Sequence, residues 1–107
     1  MTFQRACALS ELTESTPLRV EVDGLDVAVV QHGDEVFAIE DECSHAAVAL
    51  SEGDVDDCTI ECWMHGSRFD LRTGKPTGPP ATAPVPVFPV QVSGDDVLID
   101  IEAPLAG

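Results

Sequence analysis

Two short segments hold four of the seven cysteines and histidines in the chain: Cys43-Ser44-His45 and Cys62-Trp63-Met64-His65. They use two of the four cysteines and two of the three histidines in the chain. Thiolates and imidazoles are the ligands that zinc and iron–sulfur centres favour. One residue separates the pair in the first segment, two in the second, and sixteen residues lie between His45 and Cys62. Two loops of this kind can approach one centre from opposite sides. One candidate is a tetrahedral zinc site of two cysteines and two histidines. The other is a [2Fe–2S] cluster with both thiolates on one iron and both imidazoles on the other. Zinc spacings usually keep the cysteines together and the histidines together, whereas here each loop carries one of each. A third reading, two buried thiols and two surface histidines that adjoin by accident, must explain why two of only three histidines stand beside cysteines.

Regular strands flank these segments. Leu18, Val20 and Val22 alternate up to the turn at Asp23-Gly24, and Leu25, Val27 and Val29 alternate up to His32-Gly33-Asp34. Residues 35–40, EVFAIE, complete a second hairpin. Val85 to Val92, a turn at Ser93-Gly94-Asp95 and Val97 to Ile101 supply the last strands, while ALSELTES near the start has room for one helical turn. A period of 2 at both ends predicts an all-β fold. Residues 42–80 break the pattern, with short candidate strands (CTIEC, SRFDL) and long connections. The expected organisation is one domain over 1–107, its insert at about 42–80 displaying the site on a rigid scaffold.

The bulk properties narrow the partners. Five basic against twenty acidic residues give a formal net charge of −15. Such a chain is repelled by a phosphate backbone and by an anionic lipid surface, which argues against nucleic acid and membranes. The sequence MTFQRACALSEL lacks a basic stretch followed by an apolar one, and no apolar run approaches the ~20 residues that cross a bilayer. The expectation is a cytoplasmic, monomeric protein whose cysteines are ligands or free thiols rather than disulfides.

C-x-H followed by C-x₂-H and continuing into Gly66-Ser67-x-Phe69-Asp70 resembles the Rieske [2Fe–2S] family. The likeness extends through RFDLRTGKP (68–76) and GPPA (78–81), segments similar to those of small Rieske-type ferredoxins, and the flanking hairpins fit the family scaffold. The resemblance implies an antiparallel β-sandwich with an inserted cluster-binding subdomain of two ligand loops. It implies that Cys43 and Cys62 hold the inner iron and that His45 and His65 hold the outer, more exposed one. It also implies a soluble one-electron carrier, a non-enzymatic ferredoxin component that takes electrons from a flavoprotein reductase and passes them to a terminal non-haem iron oxygenase or other redox protein. Service to iron–sulfur cluster assembly or another reductase is the related alternative, and a structural zinc module the alternative of a different class.

Neighbouring residues refine this expectation. Neutral imidazoles in place of two thiolates make the centre less negative, one reason Rieske potentials lie above the roughly −400 mV of plant-type ferredoxins. The quinol-oxidising members of the family join their ligand loops by a disulfide; Val48 and Met64 stand where its cysteines would be. Phe69 replaces their tyrosine, while Ser67 keeps a hydroxyl resembling their donor to a bridging sulfide, so a low-potential member is expected. Trp63 either covers the cluster or simply packs. Gly66 either admits the backbone to the cluster or serves the turn, and Pro79 lies in the proline loop that shields the cluster in the family. The acidic runs Glu40-Asp41-Glu42 and Asp54 to Asp57 read as solvated turns that together could rim a docking face. Cys7 reads as an apolar packer, Cys58 as a strand residue and His32 as a solvent-facing turn residue.

Overall fold

A computed structural model describes residues 3–33, 35–42, 48–56, 58–63, 66–77 and 83–102. Their elements in chain order are ten strands, β1 (Gln4–Ala8), β2 (Leu18–Val22), β3 (Leu25–His32), β4 (Glu35–Glu40), β5 (Val55–Asp56), β6 (Thr59–Glu61), β7 (Arg68–Asp70), β8 (Val87–Phe88), β9 (Val90–Ser93) and β10 (Asp96–Ile99), with 3₁₀ turns at Leu9–Glu11 and Leu50–Glu52. The first of those turns falls inside the segment that sequence reading marked as helical.

The strands form three antiparallel sheets, ordered β2-β3-β4-β8, β1-β10-β9 and β5-β6-β7. The four-stranded sheet lies between the other two. Its Val22, Val27, Val29, Ala38 and Phe88 share one buried cluster with Cys7, Val97 and Ile99. Its Ala28, Val30, Phe37, Ile39 and Val87 share another with Leu50, Ile60, Cys62, Phe69 and Leu71 of the insert. The all-β expectation holds, with one refinement. Alternation pointed to Val27 and Val29 alone, yet Val27, Ala28, Val29 and Val30 are all fully buried, because β3 is covered on both faces.

The run Val85 to Val92 is not one strand. Proline at position 89 offers no N–H to a ladder, and the chain changes sheets there. β8 pairs with β4, whereas β9 pairs with β10. The Pro89 carbonyl still accepts from Asp100 N–H, and the Pro86 carbonyl accepts from Glu40 N–H. The hairpin turn at Asp23-Gly24 has positive φ at both residues, 52° and 85°, the primed geometry that matches strand twist.

Candidate metal centre

Of the four proposed ligands, Cys62 is described; Cys43, His45 and His65 lie outside the described residues, as does Pro79. Cys62 leaves the end of β6 fully buried among Ile60, Phe69 and Leu71. Its N–H donates to the Ser67 carbonyl at 2.6 Å and its carbonyl accepts from Gly66 N–H at 2.9 Å. These bonds tie Cys62 to Gly66 and Ser67 across the connection between β6 and β7. Gly66 has φ +75°, and no atom lies within 4 Å of where its Cβ would be. The positive φ of the turn favours glycine at this position.

Around this connection, Ser67 and Phe69 are buried, and Phe69 pairs with Ile60 across β6 and β7. Trp63 is different. It is 51% exposed and lines a cleft of about 440 Å³ with Arg19, Asp26, Asp41, Glu42, Val48, Ala49 and Glu52. Trp63 is thus outside the buried core, and four of the eight residues lining the cleft beside it are acidic. Arg19 bridges Asp26 at 2.6 Å and Asp41 at 3.5 Å, and hydrogen bonding to Asp26 raises the pKa of its guanidinium.

Three expectations from sequence need correction. Asp41 is not in a solvated turn: it is buried, and its carboxylate accepts from both the N–H and the hydroxyl of Ser51. Cys58 is not in a strand but in the turn between β5 and β6, with φ +61° and its side chain in the core. His32 ends β3 half-buried, with Nδ1 3.1 Å from Ser15 Oγ and 3.8 Å from Glu14 Oε2. Serine and glutamate address the same ring nitrogen, so the trio cannot relay a proton from the hydroxyl through the imidazole to the carboxylate. Within the acidic run at 54–57, Val55–Asp56 forms β5. Cys7 is the expected packer, buried in β1 with its thiol pKa raised, first by burial and then by Glu11.

Sequence reasoning passes over Ser51 and Gly53 and takes Asp41 for a solvated turn residue. A carboxylate two residues before the first motif cysteine looks like any surface acid until the partner at position 51 is placed beside it.

The one described member of the proposed donor set, Cys62, suits an iron–sulfur centre. Cys62 is a buried thiol where β6 ends, and Cys7, Cys58 and Cys62 are free of disulfides. Among the described residues no three His, Cys, Asp or Glu side chains are grouped to hold a metal elsewhere. A β-sandwich carrying a small third sheet, with a buried thiol where one of its strands ends, defines a class of iron–sulfur domain. Comparison with known proteins names it: residues 2–89 match the Rieske [2Fe-2S] domain. The chain belongs to the Rieske [2Fe–2S] domain family and carries that family's cluster as its cofactor.

Among curated proteins it is 41% identical over 102 residues, 95% of each chain, to the ferredoxin component of biphenyl 2,3-dioxygenase from Rhodococcus jostii. Among solved structures it is similar to the ferredoxin of carbazole 1,9a-dioxygenase from Nocardioides aromaticivorans IC177, with a TM-score of 0.88 at 40% identity over 92% of this chain and 97% of that one. A ferredoxin solved in complex with its oxygenase, also of carbazole 1,9a-dioxygenase, gives a TM-score of 0.85 at 39% identity over 91% of each chain. The protein is a ferredoxin-type electron carrier.

Proposed function

We propose that Cys43 and Cys62 ligate the inner iron and His45 and His65 the outer iron of the cluster. On this reading the protein passes single electrons from a flavoprotein reductase to a terminal non-haem iron oxygenase. The observation carrying the ligand reading is the C-x-H and C-x₂-H pair, set in a chain of this family with Cys62 buried where β6 ends. The cluster supplies a reversible one-electron couple when bound. The protein's own contribution is to hold the ligand loops still, to bury the thiolate side in apolar packing from Ile60, Phe69 and Leu71, and to present an acidic surface beside Trp63.

The acceptor follows from the relatives, which are named as ferredoxin components or subunits of dioxygenases. With a net charge of −15, encounter with a basic docking face is accelerated and weakens as salt screens it. The disulfide-free described cysteines fit a cytoplasmic setting. Among the described residues no helix is long and apolar enough to cross a membrane. Residues 42–80 act as the cluster-binding insert of one domain.

Stopped-flow mixing tests the reading. Protein purified without air is reduced by a flavoprotein reductase of a ring-hydroxylating system and then mixed with the matching oxygenase. The expected result is one electron taken up and delivered per chain, at a rate that falls with added salt. A colourless, zinc-loaded protein, or a coloured one that neither partner reduces or oxidises, would refute it.

A further inference from the structure

We propose that Asp41 is a positioning residue for the first ligand loop, its buried carboxylate fastening the two ends of that loop together through Ser51. The chain leaves β4 at Glu40, and Asp41 follows with its backbone fixed to the central hairpin by an N–H bond to the Asp26 carbonyl at 3.0 Å. Ten residues later the carboxylate catches the chain again. Oδ1 accepts from Ser51 N–H and Oδ2 from Ser51 Oγ–H, both at 2.6 Å. Residues 42–50, which include Cys43 and His45, therefore begin and end at one point on the rigid sheet.

The arrangement is costly unless it is complete. The Asp41 side chain has no solvent exposure, and a carboxylate without water needs its charge and its lone pairs satisfied. Ser51 supplies two hydrogen bonds, and Arg19, anchored on β2 and paired with Asp26, supplies the countercharge 3.5 Å away. The turn that holds Ser51, Leu50–Glu52, carries Leu50 into the same core cluster as Cys62. Pinning Ser51 thus fixes the first loop and its register against the second. Groups that orient a ligand loop without touching the metal govern how firmly the centre is held.

This inference rests on Cys43 and His45 being ligands, and the test separates the two claims. Four variants are compared with the wild type as cluster-loaded protein: Asp41→Ala, which removes both bonds; Ser51→Ala, which removes one; Asp41→Asn, which keeps a carbonyl for Ser51 N–H and an amide for Ser51 Oγ; and Val97→Ala, a core truncation in the distant β1-β10-β9 sheet. The readouts are the rate of cluster loss to a chelator and the line shape of the EPR signal of the reduced protein. Asp41→Ala is expected to lose its cluster about 10-fold faster with broadened lines. Ser51→Ala should fall between it and the wild type, and Asp41→Asn should stay near the wild type. Val97→Ala should melt earlier yet keep the wild-type signal and cluster retention. If Asp41→Ala does not fold, Ser51→Ala against Val97→Ala decides. Cluster loss and line shape in the Asp41 and Ser51 variants no different from Val97→Ala would overturn the positioning role. A wild-type chain that takes up no iron and sulfide would instead overturn the ligand assignment itself.

Discussion

Gly53 backs directly onto Glu61, the residue before Cys62: a Cβ at position 53 would stand 1.7 Å from the Glu61 carbonyl oxygen and 2.9 Å from its carbon. The contact is backbone against backbone, so no flexible side chain can yield. It sits beside the Glu61 N–H to Asp54 carbonyl bond at 2.8 Å, which holds the end of β6 that leads into Cys62. Gly53 has φ −92°, a value open to any residue, and the demand for glycine is therefore steric alone.

Gly53→Ala is expected to displace the end of β6 and with it the second ligand loop. Overpacking of this kind typically costs about 1–3 kcal/mol. The loaded protein should melt earlier and the variant should be isolated with less iron per chain. Wild-type iron content and melting temperature would show that Glu61 can move without disturbing Cys62.

Ser67 is buried in the connection between β6 and β7, its carbonyl holding Cys62 N–H. Removing the hydroxyl leaves that backbone bond in place. If the hydroxyl favours the reduced cluster by ~1.4 kcal/mol, Ser67→Ala should lower the one-electron potential by ~59 mV. Protein-film voltammetry reads the shift directly. An unchanged potential would mean the hydroxyl does not act on the centre.

Glu40 gives a pH signature. Burial first, then the charge of Glu42, raises its pKa above the ordinary glutamate value. Asp26, Asp41 and Glu42 line the same cleft of about 180 Å³. Because the folded pKa is raised, the folded chain holds a proton that the unfolded chain has released, starting near the ordinary value of about 4.3. Stability from this group is fully present below that value and is lost as pH rises through the folded pKa. Glu40→Gln removes the loss, so urea titrations should find the variant more stable than the wild type at neutral pH, with the gap closing on acidification below about pH 4. A gap independent of pH would contradict the assignment.

Much of this was readable in advance, for physical reasons that also mark where reading stopped. The hairpins β2-β3 and β3-β4 were visible because one face of each alternates and glycine marks each turn. The ligand pairs were visible because thiols and imidazoles are scarce in this chain and stand together. Burial of both faces of β3 was not visible, since alanine and valine at 28 and 30 suit a half-covered strand as well as a covered one. Asp41 was misread because an acid among acids carries no local sign of burial. Its partner Ser51 is ten residues away and becomes informative only once the loop is closed. Cys58 was misread because a cysteine at positive φ is uncommon, and CTIEC has the composition of a strand.

The central claim is that sulfur and nitrogen ligands share one reduced centre. Pulsed EPR on the dithionite-reduced protein, prepared with ¹⁵N-labelled histidine in an otherwise natural-abundance chain, measures it most directly. The account predicts a rhombic signal with strong couplings from two labelled imidazole nitrogens, lost in part when His45 or His65 is replaced. A signal without labelled-nitrogen coupling, or a chain that is EPR-silent with zinc bound, would contradict it.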